Sequence, residues 1–169
     1  MIRVVVLLGP PAAGKSTIGG ELERLGFRWR EWELTILERW GTRAAFVAHK
    51  TEALPQLHAD IRTWIDEPGP TAVIESTGLS DAGFLDALEQ GGECFVVRLD
   101  VSDAEAGRRL AHRERGRHLT DDFAGNTRVR REYEAAVLPH RRAALVIDGD
   151  HTSAVDAAAR IADAVRSQP

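Results

Sequence analysis

Short unbroken apolar runs alternate along this chain with longer stretches in which apolar residues return every three or four positions. Residues 4–8 are the first run, all Val or Leu, and residues 15–25 follow with Ile18, Leu22 and Leu25 on one face before Gly26 stops them. Such a run reads as a strand buried on both faces, and the spacing after it as a helix. Residues 27–31 predict a short second strand and 34–40 a helix closed by Gly41. Leu54, Leu57, Ile61 and Ile65 mark a helix over 52–65, broken by Pro68-Gly69-Pro70. Residues 71–75 are the third strand, and Ser80 or Asp81 caps a helix running to Leu88. The fourth strand covers 94–99, Ser102 caps a helix from Asp103, and the fifth strand covers 143–147. An amphipathic segment over 154–165, with Ile161 and Val165 inward, closes the chain. Strand and helix alternating to the end predict an α/β fold with a parallel sheet of about five strands. No repeat, low-complexity tract or linker interrupts it, so residues 1–169 read as a single domain.

Composition narrows the class. The chain has 169 residues, 43% of them hydrophobic, and a net charge of −4. That suits one globular core, and the absence of a basic tail argues against coating nucleic acid. Cys94 is the one cysteine. It excludes an intrachain disulfide and sits in an apolar run, as a buried small hydrophobe in a reducing compartment does. No apolar stretch has the length of a membrane span, and the N-terminal run is too short for a signal peptide. The expectation is a soluble cytoplasmic protein, monomer or homodimer, without a membrane partner.

Gly9-Pro10-Pro11-Ala12-Ala13-Gly14-Lys15-Ser16-Thr17 carries the chemistry. It fills the pattern G-x-x-x-x-G-K-S/T between a strand and a helix, the context this loop requires. Glycines let the backbone curl so that the amides of Gly9 and Ala12 to Thr17 point inward at phosphate oxygens, and the helix N-terminus adds partial positive charge. Lys15 is placed for the β- and γ-phosphates and Ser16 for Mg2+. Of 22 basic residues only Lys15 and Lys50 are lysine, so a chain that elsewhere uses Arg uses Lys here. A nucleoside triphosphate is the expected ligand.

Residues 108–118 hold five arginines. Arg109 and Arg113 are four apart, on one helix face, and Arg117 follows the Gly116 break. A guanidinium matches two phosphate oxygens and stays charged, so arginines that close over a phosphoryl group in flight stabilise it. A lid over about 112–125 is the expectation, with Arg109 on the nucleotide and Arg113 or Arg117 catalytic. The plainer alternative is a solvated helix face in which Glu105 and Glu114 pair with these arginines.

Two acidic positions flank the loop. Glu75 ends the third strand, where it would hold Mg2+ or its waters. If the second strand continues with period two, Phe27, Trp29, Glu31 and Glu33 share a side, and two carboxylates face the ligand end of the sheet. Exposed acids at a helix start explain the same pair without any function. Trp29, Trp32 and Trp40 are either packing residues or a stacking surface for an acceptor ring.

In this order the features resemble the small P-loop kinases, within them the shikimate kinase and gluconate kinase group, over nearly the whole chain. GPPAAGKST is similar to their phosphate loop, and residues 26–33 followed by Ile36, Glu38 and Gly41 resemble their Asp-x-Asp segment with Glu in place of Asp. The resemblance implies a three-layer P-loop NTPase fold, Glu31 on the magnesium side, Glu33 as acceptor-binding acid or base, and Asp148 in the stretch that borders adenine. It also implies ATP and Mg2+ as cofactors. The family's Gly-Gly-Gly turn after the third strand is here Ser76-Thr77-Gly78, which also resembles polynucleotide kinases and antibiotic phosphotransferases. The arginine four residues before Tyr133 is Val129, between Arg128 and Arg130. The implied activity is phosphoryl transfer from ATP to a hydroxyl of a small polar metabolite or antibiotic-like acceptor. The alternatives are a polynucleotide or nucleotide kinase, and a nucleotide-binding switch or NTPase with no acceptor.

Overall fold

The computed structural model describes residues 2–112 and 122–168, with Arg43 described in its backbone alone. The chain runs β1 (Val4–Leu8), α1 (Lys15–Arg24), β2 (Arg28–Trp29), α2 (Trp32–Trp40), α3 (Arg43–Ala48) and α4 (Lys50–Asp66). It continues through β3 (Ala72–Ser76), α5 (Ala82–Gln90), β4 (Cys94–Asp100) and α6 (Asp103–Ala111) to α7 (Phe123–Ala136), β5 (Leu145–Asp148) and α8 (Ala154–Arg166). The strands form one parallel sheet in the order β2-β3-β1-β4-β5. Register is set in the middle, where Val6 pairs with both Ile74 and Val96.

β1 is central because it has no polar face: none of its residues is more than 1% exposed. Burying each Val or Leu contributes about 1.5–3 kcal/mol before conformational entropy is counted. Alternate side chains feed two cores. Val4, Val6 and Leu8 pack with α2 to α5 and α7, and Val5 and Leu7 with α1 and α8. The three layers expected from the sequence are therefore present. Between α1 and the sheet edge, Gly19 makes room for Trp29, since a Cβ there would stand 2.5 Å from the indole ring.

The second strand is shorter than its pattern implied. Arg28 anchors it through the carbonyls of Trp64, Ile65 and Pro70, Trp29 rests on Gly19, and the chain then turns into α2. Glu31 is the residue before that helix and Glu33 lies in its first turn. The period-two reading through Glu33 is thus corrected: an acid in a helix's first turn is favoured by its dipole, and α2 forms there instead.

Other boundaries shifted for local reasons. α3 went unread; Thr42 starts it by accepting from the Ala45 amide at 3.1 Å. α4 begins earlier than expected, at Lys50, and takes Pro55 into its second turn. Ser102 caps α6 as expected, accepting from the Glu105 amide at 3.2 Å. Asp81 precedes α5 without capping it, because its carboxylate accepts from Ser76 Oγ at 2.6 Å. Cys94 is half-buried, and burial pushes its thiol up to about 12, in keeping with a packing role. Among the described residues no helix is long and apolar enough to cross a membrane.

Candidate active site

β1 delivers the phosphate loop to the carboxyl end of the sheet, and the loop is tied there. The Gly9 amide donates to the Ser76 carbonyl of β3 at 3.1 Å. Gly14, at φ 94°, turns the chain into α1, a left-handed geometry that favours glycine. α1 carries neither a side-chain cap nor an acid in its first turn. Its N-terminal amides and dipole thus face the loop's concavity, an anion site in form. Lys15 Nζ folds onto the same loop, donating to the Gly9 and Pro10 carbonyls at 2.8 and 2.9 Å.

Ser16 Oγ donates to Glu75 Oε2 at 3.2 Å, which joins the loop to the end of β3. The other oxygen, Glu75 Oε1, is buried and finds no donor among the described residues. Burial first, and the carboxylates of Glu33 and Glu31 after it, raise the Glu75 carboxyl to about 7 against the pull of Lys15 and the Ser16 bond. A buried acceptor without a donor, beside a hydroxyl and two further acids, fits a cation. No group of three or more His, Cys, Asp or Glu among the described residues is arranged to hold a metal alone. Mg2+ keeps its waters and shares phosphate oxygens with one or two carboxylates. Ser16 and Glu75 are the residues that would hold it, with Glu31 on the same side.

This carboxyl makes stability depend on pH in the ligand-free protein. Its folded value, about 7, lies above the ordinary 4.5, so the native state binds the proton more tightly than the unfolded chain. Stability is therefore highest below pH 4.5 on this account and falls as pH rises through 7, by up to about 3 kcal/mol. Glu75→Gln removes that loss. We expect the variant's melting temperature to exceed the unmutated chain's at pH 8 and the gap to close towards pH 5. A gap independent of pH would show the carboxyl to be solvated.

On the other side of the loop lies a cavity of about 310 Å3, walled by Ala13, Ile18, Leu99, Ile147, Gly149 and Arg109. It has the apolar walls of a small-molecule pocket, and Gly14 and Thr17 also line it. Arg109 lines this cavity and donates to the carbonyls of Ala12, Ala13 and Gly149. Asp148 does not point into the cavity. Its carboxylate accepts from the Asp150 amide and pairs with His151, while its neighbours Ile147 and Gly149 line the wall.

Arg113 and Arg117, and most of the expected lid, lie outside the described residues. The helix before them ends at Ala111, and Glu105 pairs with Arg108 and Arg109, which hold its carboxyl down at about 2. Arg130, beside the family's missing arginine, is buried against Asp103 at 2.8 Å and is committed to holding α7 on α6. Arg128 is exposed, with Glu132 at 4.0 Å. The tryptophans are packing residues: Trp32 meets Trp64 edge-on, Trp40 meets Phe46, and Trp29 covers Gly19.

The hydrogen bonds that hold the turn after β3 have no sequence signal. Ser76 Oγ accepts from the Gly78 amide and donates to Asp81, both at 2.6 Å. Gly78, at φ 73°, is pressed against Val137, so a Cβ there would come within 2.9 Å of that side chain. The turn that presents Thr77 is thereby fixed to α5 and α7.

No protein-family model matches the chain. No curated protein matches it either. Solved structures do match. The shikimate kinase of Acinetobacter baumannii, in complex with shikimate, superposes with a TM-score of 0.71 at 20% identity, over 99% of this chain and 94% of that one. A sugar kinase from Janibacter sp. HTCC2649 gives 0.60 at 17% identity, over 100% and 97%. A gluconokinase from Sinorhizobium meliloti 1021 gives 0.52 at 18% identity, over 98% and 97%. The parallel order β2-β3-β1-β4-β5, with the phosphate loop after its central strand, is accordingly the fold of the small P-loop kinases, the group of the shikimate kinases and gluconokinases.

Proposed function

We propose that the protein transfers the γ-phosphoryl group of ATP to a hydroxyl of a small polar acceptor. The observation that carries this reading is the meeting of Lys15, Ser16, Glu75, Glu31 and Glu33 at the open N-terminus of α1. A switch or simple NTPase has use for the first three; acids further along, beside the transfer point, suit an acceptor's hydroxyl.

Lys15 exchanges the Gly9 and Pro10 carbonyls for phosphate oxygens, and the loop amides hold the remaining charge. Mg2+, when bound at Ser16 and Glu75, neutralises charge on the β- and γ-phosphates. Glu33 orients the hydroxyl and takes its proton late, because the transition state is loose. The cavity under Arg109 receives the nucleoside. Arg113 and Arg117 are the arginines we assign to the phosphoryl group in flight.

The test is ADP release with Mg2+ and ATP across sugars, polyols, aminocyclitols, nucleosides and 5′-hydroxyl oligonucleotides. Release stimulated by one class identifies the acceptor. Flat release with every class would leave an NTPase or switch.

A further inference from the structure

Ala12 is the one non-glycine residue with positive φ, 62°, among the described residues. That left-handed geometry is disfavoured for any residue with a Cβ, and persists where the surroundings over-determine it. Here the surroundings are the Pro10–Ala13 turn, closed by the Ala13 amide on the Pro10 carbonyl at 3.3 Å, and over it Arg109. Its Nη1 donates to the carbonyls of Ala12 and Ala13 at 3.3 and 3.1 Å, its Nη2 to the Gly149 carbonyl, and its Nε to Glu105 at 2.7 Å. The guanidinium also closes over Gly14, where a Cβ would stand 3.2 Å from Nη1.

We infer that Arg109 is a positioning residue for the phosphate loop: it holds Ala12 in its left-handed conformation and thereby keeps the loop amides aimed inward. This rests on the phosphate loop being a polyphosphate site. Without the clamp, Ala12 relaxes to negative φ and its neighbouring amides turn away. A glycine at position 12 adopts the same φ at no steric cost, so it makes the clamp dispensable. An arginine acting by direct contact with the nucleotide has no such dependence.

The experiment is a double-mutant cycle over Arg109→Ala, Ala12→Gly and the double variant, read by calorimetric binding of ADP and of inorganic tripolyphosphate. Arg109→Ala should weaken both probes by about tenfold, and Ala12→Gly in the same chain should recover most of that loss. Tripolyphosphate has no base, so its loss excludes a role confined to the nucleoside pocket. In the ligand-free Arg109→Ala chain, NMR backbone couplings of Ala12 should leave the positive-φ range. A double variant as weak as Arg109→Ala, or an Ala12 that keeps its φ without Arg109, would overturn the inference. If the unmutated chain binds neither probe, the nucleotide reading falls, and the Ala12 couplings still decide the clamp.

Discussion

A chain carrying Lys15→Met is expected to release no ADP above background while keeping its fold. The ammonium is held by the Gly9 and Pro10 carbonyls and lies close enough to Glu75 to pull its carboxyl down. Methionine matches the length of the stem but offers no donor. The phosphates then lose the one cation of the loop itself, and removing a charge-stabilising group of this kind costs about a hundredfold to a thousandfold or more in rate. A second loss follows, since Glu75 without its neighbouring cation titrates still higher and is a poorer partner for Mg2+. The fold survives, because the two core layers do not include Lys15. A coupled ADP assay beside a thermal melt checks both halves. Turnover near that of the unmutated chain would falsify the kinase assignment.

Glu33→Gln is expected to separate binding from transfer. The variant keeps the shape of the side chain and one acceptor oxygen but removes the charge that receives the hydroxyl proton. Acceptor-dependent turnover should fall by about a hundredfold to ten-thousandfold. ATP affinity should hold, because no phosphate contact is assigned to this residue. Mg2+ binding should hold too, because Glu33 is one of the groups that raise Glu75, and its neutralisation favours the charged form there. Background ATP hydrolysis persists. Glu31→Gln should instead raise the Mg2+ requirement. Normal phosphoryl transfer by Glu33→Gln would move the base elsewhere, with Glu75 next in line.

The sheet was legible because β1, β3, β4 and β5 are each built on a short apolar run and each long helix has a stripe. The phosphate loop was legible because its geometry dictates glycine and lysine at fixed intervals. Glu31 and Glu33 were found for a reason that proved wrong. They approach Glu75 from a helix start, not along a strand, and a two-residue strand held by Arg28 and Trp29 leaves no periodicity to read. Arg109 is placed with the nucleotide by its position in the Arg-rich segment, but its three carbonyl partners come from two distant loops, and no local pattern announces such contacts. The contacts that fix the Ser76-Thr77-Gly78 turn are not legible either: its hydrogen bonds are short-range, but Val137, which packs it, comes from just past the end of α7.

The position of β1 also governs how the chain reaches this state. Val4 finds its neighbours at Ala72 and at Cys94, so β1 is flanked on both edges only after the fourth strand has been made. On a ribosome, the N-terminal apolar segment emerges with no sheet to join and waits until β3 and then β4 have left the tunnel. Parallel pairing of this span is slow, because long loops must close before any contact compensates them. The anion site depends on the Gly9 amide meeting the Ser76 carbonyl, so a nascent chain acquires it only after the third strand docks. A ligand for that site therefore stabilises a late state of folding and cannot guide an early one.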